Sequence, residues 1–439
     1  MRFTISQLAA ATGGKIVAGS ADPAVAGASI DTRSLRPGQL FVAVVAERDG
    51  HDFVPAAIDA GAGAALVSRP PDPAWTVPVV RVDDTVAALR DLGRAARDRL
   101  DGAVVGITGS VGKTTVKDLA RSVLATAGSA HASVRSFNND LGVPLTLVEA
   151  PDGVAAVVVE MGARGIGHIG SLCEYVRPTV GVVTRVAMAH NEFFGTIDDI
   201  AVGKGEMVEH LAPDEVAVLN AGDPRVAAMA SRTRARVLTY GVGVGDVRAV
   251  DVEVGDDLSL RFRVESPWGA VAVAPAVRGP QQVENATAAM AIGLAVGVSP
   301  EAAARGLAAA EVSPWRMEVD RTVAGAVVVN DAYNANPLAV RAALDALMAL
   351  PARRRVAVLG TMAELGPFKA DEHRAIGALV RELGVEGWAV AEADYGLPVV
   401  ADLDAAVDAV GPLGEGDVVL VKGSRVAGLE RLAARWLTT

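Results

Sequence analysis

Apolar positions fall into short, near-continuous β-branched runs along much of the chain. Residues 103–108, 154–159, 179–184, 216–220 and 236–240 are of this kind, the pattern of strands buried on both faces of a parallel sheet. Helix-like segments and glycine turns separate them. Between 248 and 277 the period changes to two, with Val250, Val252 and Val254, then Leu258, Leu260, Phe262 and Val264 at alternate positions. That predicts antiparallel hairpins added at the sheet's edge. Residues 285–298 are apolar all round, which predicts a buried helix. After Ser313-Pro-Trp315 a further set of strands is expected at 327–330, 356–359, 388–391 and 418–421, with helices over 338–350 and 371–383 between them. Ahead of residue 101 the runs 41–45, 64–67 and 77–82 are short strands among turns.

The expectation is an α/β chain of three domains: 1–101, 102–313 and 314–439. The first is a small α/β unit, the second a mostly parallel sheet with helices on both faces, the third Rossmann-like. A length of 439 residues agrees, at about 150 per domain. Hydrophobic residues make up 51% and charged residues 21%, ample for packed cores and outside the disordered range. With 41 Lys and Arg against 52 Asp and Glu, the formal charge is −11. A generally basic surface for nucleic acid or an anionic membrane is thereby excluded, though a local phosphate pocket is not. The single cysteine, Cys173, allows no internal disulfide and fits a reducing compartment. The first residues lack a signal-peptide pattern, and the longest apolar run, 286–298, falls short of the ~20 residues that span a bilayer. A soluble, cytoplasmic protein is expected.

The strongest chemical signal is Thr108-Gly-Ser-Val-Gly-Lys-Thr-Thr115, which follows a strand and opens a helix. Glycines there let backbone N–H groups close around phosphate oxygens, Lys113 neutralises them, and a threonine hydroxyl can ligate Mg²⁺. The full P-loop pattern wants glycine at 107, where the chain has Ile107. Glu160 ends the next strand, where a Mg²⁺ ligand beside a phosphate loop belongs, and also where a capping or solvated carboxylate is common. On pattern alone His190 reads as a surface or structural histidine and Lys204 as a solvated helix face.

Taken together, these pieces resemble the Mur ligases. The resemblance rests on Thr108 to Thr115, Ser136-Phe-Asn-Asn139 with Gly142-Val-Pro144, Glu160-Met-Gly162, Ala189-His-x-Glu192 and Lys204-Gly-Glu206. It continues through Arg316-Met-Glu318, Asp331-x-Tyr-Asn-Ala-Asn-Pro337, Gly360-x-Met-x-Glu-Leu-Gly366 with His373, and Leu420-Val-Lys-Gly-Ser-Arg425. Asp31-Thr-Arg33, Gly38-x-Leu-Phe41 and Asp49-Gly-His51 extend it to the N-terminal section. The motifs are nearest those members that add D-alanyl-D-alanine to UDP-N-acetylmuramoyl-tripeptide in peptidoglycan synthesis. The resemblance implies an ATP-dependent, ADP-forming amide ligase, monomeric, with ATP and Mg²⁺. Gly109, Ser110, Val111, Gly112, Lys113, Thr114 and Thr115 would form the phosphate loop, with Asn285 at adenine and Arg316 and Asp331 reaching phosphate and ribose. Thr114 and Glu160 would hold one Mg²⁺, and Glu160, His190 and a carbamylated Lys204 a second. Lys113, His190 and Lys204 would be catalytic. Thr32 and Arg33 would lie at the UDP site, Asn138 and Asn139 near the sugar–peptide acid, and Lys422 and Arg425 beside the incoming dipeptide.

Departures from the family pattern stand at Arg185, where asparagine is usual, at Gln281 and Gln282, where His-Asn is common, and at Asn191, Ala332 and Thr361. Two other readings accompany the ligase. One is a paralogue using the same chemistry on another acid or amine; the other is a nucleotide-binding scaffold without turnover.

Overall fold

The computed structural model describes residues 1–19, 21–134, 136–187 and 194–438. Its centre is a nine-stranded sheet in which Ala103–Thr108 lies between Ala156–Glu160 and Val180–Val183, all parallel. Ala130–Ala132 extends one side, and Val216–Asn220 and Arg236–Val242 extend the other, again in parallel. Successive residues of these strands feed two different cores, as the period of a strand requires. Val104, Val157 and Val159 join one core, Val105, Ile107 and Val158 the other. The second core seats helices Lys113–Leu124, Gln282–Ala295 and Pro300–Ala308.

Leu260–Ser266 and Gly269–Val273 form the expected antiparallel edge. Val247–Val254 differs: it first pairs in parallel with Arg236–Val242, then antiparallel with Leu260–Ser266. The Asp246 carboxylate accepts the Thr239 backbone N–H at 2.8 Å and its hydroxyl at 2.6 Å. These bonds fold the turn back so that the next strand starts beside Tyr240. The helix expected from 285 starts at Gln282, and its all-round burial is as the composition implies.

The N-terminal section holds a mixed five-stranded sheet, Lys15–Ala18, Val79–Arg81, Ala64–Val67, Leu40–Val42 and Ala28–Ser29 in spatial order. It shares a core with the central section, since Phe3, Leu89 and Leu92 belong to the same cluster as Val104 and Val143. Glu149, ending helix Gly142–Glu149, accepts Ala28 N at 2.7 Å and Gln39 Nε2 at 2.7 Å and pairs with Arg36.

The C-terminal section carries a six-stranded sheet in the order Glu318–Arg321, Val327–Asn330, Asp417–Lys422, Arg354–Leu359, Glu386–Val390 and Val399–Val400. All but the first pair run parallel. The linker into it is tied down: Ser313 N donates to Asp118 Oδ2 at 2.8 Å, on the helix that begins at Lys113. Among the described residues, no helix is long and apolar enough to cross a membrane.

Candidate active site

The loop between Thr108 and Lys113 sits at the carboxyl end of the central strand, where open parallel sheets bind ligands. Gly109 has φ +150°, and a Cβ there would lie 1.9 Å from Thr184 Oγ1. Gly112 has φ +84°, and its Cβ would lie 2.5 Å from Asn285 Oδ1. Only glycine fits either place. The loop is braced from the neighbouring strand end: Thr184 Oγ1 donates to Val111 O at 2.6 Å, and Ser110 N donates to Arg185 O at 2.7 Å. Helix Lys113–Leu124 has no side-chain cap, so its first N–H groups and the positive end of its dipole face the space above the loop.

Lys113 folds back to donate to Gly109 O at 2.7 Å. Burial lowers its pKa, partly offset by the carboxylates of Glu160 and Glu364. Glu160 is 1% exposed and takes hydrogen bonds from Thr114 Oγ1 at 2.8 Å and Asn138 Nδ2 at 2.7 Å. A buried carboxylate whose side-chain donors among the described residues are both neutral is suited to a hard cation. Among the described residues no three His, Cys, Asp or Glu side chains come together. Among the described residues, Glu160 and the Thr114 hydroxyl are the oxygen donors placed to meet a cation here.

A cavity of about 720 Å³ runs from the loop into the C-terminal section. Of the expected site residues, Ser110 to Thr115, Asn138, Glu160, Asn285, Arg316, Asp331 and Lys422 line it together. Residues 312 positions apart in sequence, Ser110 and Lys422, thus share one cleft. The Arg316 guanidinium lies 4.0 Å over the Tyr333 ring, with its buried Nε unpartnered. Lys422 is buried and paired with Asp331, and also donates to Asn334 O at 3.1 Å. Ser136 and Tyr333 hydroxyls bond across the cleft.

Other expected residues are placed elsewhere. Asn139 Oδ1 accepts Gly142 N at 2.9 Å, at the first residue of helix Gly142–Glu149. Arg425 lies over Trp315 and pairs with Glu430. Thr32 and Arg33 are on the N-terminal section away from the cavity lining, Arg33 exposed and paired with Asp31. His190 lies outside the described residues, as does Asn191. Lys204 corrects the solvated-face reading, being 1% exposed within helix Ile197–Glu209. Burial, then the nearby positive Lys113, drive its pKa well down. Its motif partner Glu206 accepts Gly167 N and Gly170 N at the start of helix His168–Val176, a fixed structural duty. Sequence reasoning missed Glu284, Gly222 and Tyr333 as lining residues. Tyr333 alone carried a signal, inside the motif that begins at Asp331.

Two family profiles match the chain: the Mur ligase middle domain over residues 107–293 and the Mur ligase glutamate ligase domain over 315–425. A UDP-N-acetylmuramoyl-tripeptide–D-alanyl-D-alanine ligase of Mycobacterium tuberculosis is 37% identical, covering 99% of this chain and 97% of the relative. The enzyme of the same name from Escherichia coli K12 is 33% identical over 98% and 97%. A crystal structure of MurF from Acinetobacter baumannii superposes with a TM-score of 0.88 at 30% identity, covering 100% of this chain and 99% of that one. MurF ligase from Thermotoga maritima in complex with ADP gives 0.80 at 28%, over 94% and 97%.

Proposed function

The chain belongs to the Mur ligase family, and from that premise we propose that it is the ATP-dependent ligase joining D-alanyl-D-alanine to UDP-N-acetylmuramoyl-tripeptide. The observation that carries this reading is a phosphate loop opposed across one cleft by Arg316, Asp331 and Lys422. In this reading residues 1–101 hold the UDP end of the acid, 102–313 the ATP, and 314–439 close over both with the dipeptide.

A carboxylate resists attack by an amine, so ATP first converts it to an acyl phosphate. The amine then adds, and phosphate leaves from the tetrahedral adduct. Each step concentrates negative charge among anionic groups, so fixed cations and N–H donors do most of the work. The amides from Ser110 to Thr115 cradle the terminal phosphates, and Lys113 moves from Gly109 O onto the transferring group. Arg316 supplies a second cation from the opposite wall. Asn138 orients Glu160 and stands beside the acid. Thr114 and Glu160 fit Mg²⁺ by donor type, and bound there it neutralises phosphate charge. Lys204 fits a metal only once modified: an ammonium has no lone pair. Its buried amine is biased to the neutral form, which adds CO₂ with loss of a proton to give a carbamate, an oxygen ligand.

Mass spectrometry of the product from UDP-N-acetylmuramoyl-tripeptide, D-alanyl-D-alanine and MgATP tests the assignment. The expected product is the amide-linked pentapeptide, with phosphate release requiring both acid and amine. ATP bound but never turned over with both present overturns it.

A further inference from the structure

Arg185, a departure from the family pattern, has a partner that the sequence did not announce. Its Nη2 lies 2.7 Å from Glu284 Oε2, 99 positions away, and both side chains line the cavity. The pair is part-buried, with 35% and 21% of the two side chains exposed. Arg185 also touches the phosphate loop through its carbonyl, which accepts Ser110 N. The residue after Glu284, Asn285, abuts Gly112. The ion pair therefore closes a bracket between the loop and helix Gln282–Ala295.

Terminal phosphates belong over the loop amides beside Glu160. The lining also includes Gly222, which lies near Glu284, with Val242, Pro280 and Gln281: mostly small or apolar surface with one side-chain amide, as suits a flat heteroaromatic base. Gly222 places no side chain in front of Glu284: even a Cβ there would stay 3.8 Å from Glu284 Oε2. A carboxylate only accepts hydrogen bonds, and Arg185 holds this one in place.

We propose that the Arg185–Glu284 pair forms the base-end wall of the nucleotide cleft and selects a base that presents an amino edge over one that presents a keto edge. This rests on the ligase reading for the presence of a nucleotide, and names what sets its identity. An amino group donates to Glu284; a keto oxygen in the same place faces a carboxylate without a proton between them.

Calorimetry with ADP, IDP and the diphosphate of purine riboside tests it by binding alone. IDP exchanges the amino group for a keto oxygen and adds a proton at N1, whereas the purine analogue only lacks the amino group and should bind as weakly as IDP. A ligase reading that failed through absent turnover would leave this result readable. Wild type is expected to prefer ADP by about tenfold or more, the worth of one hydrogen bond to a charged group. Glu284→Gln, whose amide can turn a donor to the keto oxygen, should bring the ratio to within about threefold of unity. Arg185→Lys keeps the charge but loses the planar fork, and should lower the ratio in the same direction; it serves if Glu284→Gln does not fold. A merely structural pair would weaken both nucleotides equally. An unchanged ADP-to-IDP ratio in either folded variant, or no preference in wild type, overturns the proposal.

Discussion

Gly109→Ala puts a methyl group where the Thr184 hydroxyl already is. The added Cβ would come 1.9 Å from Thr184 Oγ1 and 3.2 Å from Arg185 N. The first distance is far inside van der Waals contact, so Thr184 must turn away from Val111 O, to which it donates at 2.6 Å. The backbone at φ +150° is also poor for any residue with a side chain. Strain of this kind costs about 1–3 kcal/mol, and the lost hydrogen bond about 1 kcal/mol. If ADP binds only the native loop, restoring that loop raises Kd by about 30- to 700-fold, at 1.4 kcal/mol per decade. Calorimetric titration of ADP measures it. Gly153→Ala is the control, since that glycine also has positive φ, at +69°, but nothing lies within 4 Å of its Cβ; its ADP affinity should match wild type. A Gly109→Ala protein that binds ADP within threefold of wild type would refute the reasoning.

Lys113→Ala is expected to cut kcat by about 10²–10³-fold, the usual loss of one charge-stabilising donor, with an unchanged circular dichroism spectrum; turnover within threefold of wild type removes Lys113 from phosphoryl transfer. Lys204→Ala should lose activity that short carboxylic acids such as acetate or formate partly restore, and full activity without rescue would exclude a carbamate there. Burial lowers His131 to about 4, below its unfolded value of 6.5, so the unfolded chain takes the proton first as pH falls. Its contribution is intact above about pH 6.5 and drains away towards pH 4. The drop in thermal midpoint from pH 7.5 to pH 5 should therefore shrink in His131→Gln, and an equal drop in both proteins contradicts this.

Local pattern carried far in this chain. Strands 103–108, 216–220 and 327–330 were legible to the residue because β-branched runs bounded by turns leave little freedom. The phosphate loop was legible because its glycines and lysine are contiguous. What escaped depended on distance along the chain. Arg185 and Glu284, or Ser136 and Tyr333 at 197 positions apart, meet only after sheets and linker are in place, and no window of sequence contains both. The pattern-only reading of Lys204 as a solvated face failed for a related reason. Helical period places a residue on a face, but what covers that face is decided by the neighbouring elements. The parallel entry of Val247–Val254 turned on two Thr239–Asp246 bonds, to which alternation of apolar residues is blind.

The bond from Ser313 N to Asp118 Oδ2 locates a fulcrum. It anchors the start of the C-terminal section to the second turn of the very helix whose first residue is Lys113. Three residues of chain reach at most about 10 Å, so Arg316 stays on a short arm whatever angle the section adopts. Lys422 is held on the same short arm, since its partner Asp331 also accepts Met317 N at 3.1 Å. In the proposed ligase, a swing about Ser313 would therefore leave Arg316, Asp331 and Lys422 near the phosphate loop, while parts of the section farther from the tether travel a wider arc.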